Sequence, residues 1–410
     1  MLTSLGHLTY CSNIHSGETW TDHFEKLREH IPKIKERLSP LEPFGIGLRL
    51  ANAASCELQQ PETLETFRRW LAKNDCYVFT MNGFPYGGFH HTRVKDKVHA
   101  PDWLSEDRVT YTVRLANILA GLLPDEMDGG ISTSPLTYKF WNQDKDPHAV
   151  YEKATLHLLQ VVEQLIGIKN ATGKLIHIDI EPEPDGLLGD GKEFLDWYVK
   201  YLLPLGIPFL QSRFGFIDDV AESVIKEHVQ LCYDVCHYAV GYEDHSSMIQ
   251  HARALGIKTG KIQISAALKA LMPADTKKRA AVVNAFKAFN EPVYLHQVVA
   301  RQANGSLLRY PDMPEALEDA DNPAVLEWRA HYHVPLFIRS YGLLHSTQND
   351  IEEVLAIQKD QPFTTKLEVE TYTWEVLPEE MRLNLTESLI RELEWVINLI
   401  KGTHPQTAND

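Results

Sequence analysis

The sequence predicts an α/β protein in which eight β/α units close into a (β/α)8 barrel, with a small β-sheet inserted before the eighth strand. Three observations lead there. Short apolar runs alternate with helix-length amphipathic stretches along most of the chain. Several of those runs carry ionisable groups on one face only, yet strands flanked by helices are covered on both faces, so the polar face must point into a closed barrel. Finally, the 410 residues exceed the roughly 250 of a bare barrel, leaving room for insertions within one domain spanning 1–410.

The first strand is expected at about Leu8–Asn13, followed by a helix over Thr21–Arg37 with apolar residues at helical spacing. Gly45–Leu50 reads as the second strand, and a helix over Glu62–Lys73 leads to the third, Cys76–Asn82. Residues 83–103, rich in Gly, His and aromatics, are too long for an ordinary βα connection and read as a long loop or lid. Its His90, His91, Arg93, Lys95, Lys97 and His99 form a basic island, either a solvated face or part of that lid. Ile131–Ser134 is the fourth strand, and Pro147–Lys169 is a long amphipathic helix.

The fifth strand, Leu175–Glu181, alternates cleanly. Ile176, Ile178 and Ile180 share one face, and His177, Asp179 and Glu181 share the other. Three such groups inside a barrel are costly unless they bond to one another or to a metal near the strand's C-terminal mouth. The sixth strand ends in Asp234, with His237 three residues on. A turn there can bring carboxylate and imidazole to one divalent cation, although a strand-end Asp capping the next helix beside a buried His fits the same spacing. Lys261–Ser265 is the seventh strand and places Gln263 on its polar face.

After a helix over Lys277–Phe289, the segments Val293–Val299, Ser306–Tyr310 and His331–Ile338 read as extended without full barrel helices between them. They define an inserted sheet over 291–338. A helix over Asp350–Ile357 precedes the eighth strand, Leu367–Glu375, where Glu368, Glu370 and Tyr372 alternate with Leu367, Val369 and Thr371. The final helix is expected over Pro378–Ile400, with a loose tail from His404.

Bulk properties narrow the function. The formal charge of −16 repels phosphate backbones, so nucleic acid is not an expected partner. No apolar run approaches the roughly 20 residues of a membrane helix, and the first ten residues lack a secretory pattern, so a cytoplasmic protein without membrane insertion is expected. The five cysteines, an odd number set mostly in apolar strands, suggest reduced thiols.

Several segments carry a resemblance. Ile180-Glu-Pro182, Asp234-Val-Cys-His237 followed by Gly241-Tyr242, and Leu367-Glu-Val-Glu-Thr371 are similar to the xylose-isomerase-like TIM-barrel superfamily of sugar isomerases, ketose epimerases and endonuclease IV-type enzymes. Over nearly the whole chain, Cys11-Ser-Asn-Ile-His15, Asn82-Gly-Phe-Pro-Tyr-Gly87, Asp234–His237 and Glu370-Thr-Tyr-Thr-Trp374 resemble the EboE-type metabolite-traffic proteins. The resemblance implies one divalent metal held by Glu181, Asp234, Gln263 and Glu370. Gln263 stands where the superfamily places a His, and an amide oxygen shifts preference toward Mn or Mg, with Zn as the other candidate. His296, His333 and Glu375 are further candidate ligands.

By analogy with the epimerases, Glu181 and Glu370 would also act as acid and base, and His237 would bind a substrate hydroxyl. Asn13, His15, Arg49, Asn82, Lys139, Tyr372 and Trp374 are candidate substrate-binding residues. Arg49 and Lys139, read at the ends of the second and fourth strands, suit a carboxylate or phosphate but equally well balance nearby acids. The function so implied is a metal-dependent sugar or cyclitol isomerase or epimerase in biosynthesis or traffic of a secondary metabolite, with other pathway proteins as partners. Two alternatives stand beside it: a non-catalytic metabolite carrier on the same scaffold, and an endonuclease IV-like phosphodiesterase, which both Gln263 and the acidic charge oppose.

Overall fold

A computed structural model describes residues 1–90, 93–374, 377 and 384–403. The chain folds as a TIM barrel. Its parallel strands are Gly6–Tyr10, Phe44–Arg49, Cys76–Asn82, Gly129–Thr133, Ile176–Ile180, Val229–Asp234, Thr259–Ile264 and Lys366–Val369. Each pairs with its successor from the second to the seventh, and the eighth pairs with both the seventh and the first.

The seam between the first and second strands is held by side chains. The Thr9 hydroxyl donates to Gly45 O (2.8 Å) and accepts from Gly47 N (3.0 Å), while Ser12 Oγ accepts from Arg49 N (2.8 Å). Cys11 and Gly47 add a parallel bridge. Gly47 has to be glycine, because a Cβ would stand 1.9 Å from Glu368 Oε1.

That carboxylate belongs to a charged layer inside the barrel. Lys261 Nζ and Glu368 Oε2 form an ion pair in which both residues are fully buried. Toward the N-terminal end of the strands, His177 Nδ1 lies 2.5 Å from Asp179 Oδ1, and Nε2 faces Asp128, which in turn pairs with Lys366 at 2.8 Å. Gly130 and Gly260 make room for Asp179, since a Cβ at either would come within 2.1 Å of its oxygens. The polar face of the fifth strand therefore divides. His177 and Asp179 serve the barrel floor, and Glu181 alone reaches the mouth.

The helices form where caps and periodicity agree. Trp20–Leu38 is capped by Thr19, whose hydroxyl accepts from Asp22 N, and buries Leu27, Ile31 and Ile34. Pro147–Thr172 starts on Asp146 with Pro at its first position and stops at Gly173, φ 75°. The helix Glu106–Leu122, which lies between the third and fourth strands, was hidden in the sequence by a buried arginine within its apolar stripe. Arg108 donates from Nη1 to Gly83 O (2.6 Å) and Phe84 O (3.1 Å) and from Nε to Pro101 O (2.7 Å), fastening both ends of the long loop to the barrel.

The insertion is wider than 291–338. Six antiparallel strands run in the order Leu307–Tyr310, Val298–Gln302, Val325–Ala330, Leu268–Leu271, Leu344–Ser346, Ser340–Tyr341. Its central pairing joins Leu268–Leu271, just past the seventh strand, to Val325–Ala330. His331–Ile338 is irregular rather than extended, because it leaves the sheet to cross the barrel mouth. Similarly, the eighth strand ends at Val369, so Thr371 and Tyr372 sit in a loop rather than alternating.

The closing helix, Leu385–Lys401, carries a buried carboxyl, Glu392, that accepts from Thr371 Oγ1 (2.7 Å) and Leu336 N (3.2 Å). Burial pushes its pKa up to about 8, against those hydrogen bonds. The folded chain thus keeps a proton that the unfolded chain releases near 4.5, so this group's contribution to stability falls as pH rises between those two values. Glu392→Gln is expected to match wild type in thermal melts at pH 4 and to exceed it above pH 8, by several degrees. A parallel pH profile for the two proteins would contradict this assignment.

Candidate metal centre

The carboxylates meet at the C-terminal mouth because their strands end there in register. Glu181 N donates to Thr133 O and Glu370 N to Ile264 O, so each residue extends its ladder by one step. Asp234, the last residue of its strand, caps the helix Val235–Val240: Oδ1 accepts from His237 N (3.2 Å) and from Ser265 Oγ (2.6 Å). Glu181, Asp234 and Glu370 bring one oxygen each within 4.8 Å of one another, and all three are buried.

Gln263 binds this triad with its nitrogen. Nε2 donates to Glu181 Oε1 (3.1 Å), Asp234 Oδ2 (3.2 Å) and Glu370 Oε2, while its oxygen accepts from Cys232 Sγ (2.8 Å). In this arrangement the Gln263 nitrogen, and not the amide oxygen expected as a metal ligand, faces the carboxylates, because three facing acceptors attract N–H. Glu370 Oε1 also accepts from Asn13 Nδ2 (2.7 Å) and Asn82 Nδ2 (2.9 Å). Burial, then the charge of Asp234, pushes Glu370 up to about 8, and burial together with Glu370 raises Glu181 well above the carboxylate range. Three buried acids in mutual contact favour a cation or protons between them.

The residues fit a divalent metal. Glu181 Oε2 is buried without a hydrogen-bond partner, and three carboxylates form a hard, oxygen-rich donor set suited to magnesium or manganese. Amide oxygen and nitrogen are nearly isosteric, so rotation of the Gln263 amide would turn its oxygen toward a cation held by the three carboxylates.

The substrate-binding candidates separate. Asn13, Asn82 and Tyr372 line a cleft of about 520 Å³ above the triad, counting space open to solvent. His15, Arg49, Lys139 and Trp374 do not. His15 bonds to Tyr10 Oη (2.8 Å) and stacks on His30, and Trp374 stacks on Phe337. Arg49 is fully buried and donates to Gly87 O beneath the long loop. Lys139 begins a short helix well past the fourth strand and pairs with Asp185 at 3.0 Å. Glu375 and His91 lie outside the described residues.

The additional ligands separate too. His333 enters the centre, close to Asp234 and His237, whereas His296 donates to the His331 carbonyl and pairs with Glu291 at 2.6 Å. His237 borders the cleft, with Nδ1 donating to Pro182 O (2.9 Å) and Nε2 facing His331 Nε2 at 3.1 Å.

The basic island also changes character. His90 and His99 are buried, Lys95 pairs with Asp312 at 2.6 Å, and only Arg93 and Lys97 face solvent among its described members. Val94 N and Lys95 N both donate to Val293 O (2.8 and 3.0 Å), zipping the long loop to the insertion across the mouth. Phe89, Tyr294 and Tyr372 pack there with ring centroids 5.0–5.2 Å apart, giving the cleft an aromatic roof over a charged floor. Sequence reading missed Glu183, His331, Phe89 and Tyr294. Glu181-Pro-Glu183 and His331-Tyr-His333 were the available signals, but only the crossing segment places both beside the triad.

No protein-family model matches the chain, and no curated protein matches its sequence. Similar solved structures are xylose-isomerase-like TIM-barrel proteins. L-ribulose 3-epimerase is 9% identical with TM-score 0.49, covering 98% of this chain and 96% of that one. The IolI protein with a bound zinc atom is 11% identical with TM-score 0.48, covering 98% and 100%. A xylose isomerase-like TIM barrel protein from Mycobacterium smegmatis in complex with magnesium is 12% identical with TM-score 0.46, covering 92% and 88%.

Proposed function

We propose that the chain is a metal-dependent isomerase or epimerase acting on a small sugar-like or cyclitol substrate. The observation that supports it most is the meeting of Glu181 and Glu370, from the fifth and eighth strands, around Asp234 on the floor of the cleft. A divalent cation held there by Glu181, Asp234 and Glu370 would polarise a carbonyl–hydroxyl pair. Glu181 and Glu370 then take a proton from carbon and return it. Asn13 and Asn82 hold Glu370 in place, and the aromatic roof excludes water from the reacting carbon. The resemblance to EboE-type proteins adds the finer reading that the substrate is an intermediate of a secondary metabolite, handled with other proteins of that pathway.

A carrier without turnover is the second reading. It is favoured by one observation, that the Gln263 amide nitrogen stands within hydrogen-bond distance of an oxygen of each carboxylate, where a cation would otherwise sit. Manganese titration followed by electron paramagnetic resonance, beside proton NMR of polyols and their phosphates in deuterated water, separates the two. Manganese bound by wild type and lost in Asp234→Asn and Glu181→Gln, with deuterium entering a substrate carbon, supports the enzyme. Absence of binding at millimolar manganese would remove this reading.

A further inference from the structure

Beside the carboxylate triad lies a group of imidazoles that the proposed reaction does not use. Its protonation pattern follows from its hydrogen bonds. His237 Nδ1 lies 2.9 Å from Pro182 O, and a carbonyl only accepts, so Nδ1 carries the hydrogen. His331 Nδ1 lies 2.8 Å from Gln297 Oε1, whose own amide nitrogen donates to Pro184 O (2.8 Å); again Nδ1 is the donor. In both neutral rings Nε2 is therefore a bare lone pair. Yet the two Nε2 atoms face each other at 3.1 Å, and two acceptors in contact need something positive between them.

The spacing says what suits. Two nitrogens bound to one tetrahedral zinc-class ion at about 2.0–2.1 Å stand roughly 3.3 Å apart, close to the separation observed. Glu183 brings a carboxylate oxygen within 4.8 Å of both imidazoles, and its Oε1 lies 3.0 Å from His99 Nε2. A third imidazole, His333, has its Nδ1 fixed by the Glu370 carbonyl (2.9 Å), leaving Nε2 buried without a hydrogen-bond partner between the two groups. Glu183, His237 and His331 all border the cleft, so an ion held by them would keep a position open to it.

We infer that His237 Nε2, His331 Nε2 and Glu183 form a second cation site, selective for a borderline-soft metal of the zinc class and distinct from the hard carboxylate triad. Pairing a His2Glu site with a carboxylate site gives the cleft two Lewis acids of different preference. The site stands whether or not the triad binds metal.

Cobalt(II) is the probe, counted per chain by mass spectrometry and read by visible absorption on the full-length protein. Wild type is expected to bind two equivalents, the second developing the absorption of a low-symmetry nitrogen site. His331→Gln should bind one and lose that absorption, whereas Glu181→Gln should also bind one but keep it. If His331→Gln drops the count while Glu181→Gln leaves it unchanged, the second site stands and the triad reading fails. Equal cobalt and equal absorption in wild type and His331→Gln would overturn the inference and leave a shared proton between the rings. Zinc-edge X-ray absorption on wild type alone, where imidazole scattering from two histidines per zinc is expected at one equivalent, decides the matter if the variants do not fold. A spectrum with oxygen neighbours only would count against the site.

Discussion

Lys261→Met is expected to destabilise the barrel by about 3–5 kcal/mol, the cost of leaving one partner of a buried ion pair uncompensated. Glu368 would then hold a charge at zero exposure, with Oε1 already lacking a hydrogen-bond partner. Lys261→Met/Glu368→Leu should recover most of the loss, since apolar replacement of a whole buried pair is often neutral. Urea unfolding of the three proteins measures this directly. A single variant within about 1 kcal/mol of wild type would show that the pair is not what sustains the interior layer.

Glu370→Gln is expected to have opposite effects on function and on stability. Removing one of three triad oxygens should abolish manganese binding and lower proton transfer by about 10²–10⁴-fold. In the presence of a chelator the same variant should melt higher than wild type. Glu370 is fully buried and its pKa stands at about 8, so the folded metal-free chain holds a proton that the unfolded chain releases near 4.5. The wild type therefore loses stability as pH rises toward 8, and the amide does not. Asn13 and Asn82 can still donate to the amide oxygen, which confines the cost to one donor–donor contact with Gln263 Nε2. A variant that retains manganese, or melts below wild type in chelator at pH 8, would contradict the assignment of Glu370 to the centre.

Much of the site was legible because period-two alternation is local. In the fifth strand it separates Ile178 and Ile180 from Asp179 and Glu181 whatever the rest of the chain does, and the strand-end position of Asp234 follows from the apolar run before it. Neither pattern ranks polar residues by depth along the barrel. Depth decides that His177 bonds to Asp179 and Asp128 at the floor, where Asp128 also pairs with Lys366, and that Glu368 answers Lys261 while Glu370, two residues on, reaches the mouth.

The sequence by itself determined the barrel and its order of strands and helices, because these rest on spacing within single elements, and the resemblance of its motifs singled out Glu181, Asp234, Gln263 and Glu370. Only the tertiary structure decided which atoms of those side chains face one another. The Gln263 nitrogen turns inward because three acceptors from three other strand ends surround it. His331 and Glu183 come together because an irregular crossing segment is carried over the mouth by a sheet that begins at Leu268. Contacts between segments so far apart in the chain are set by packing and closure, which no local periodicity encodes.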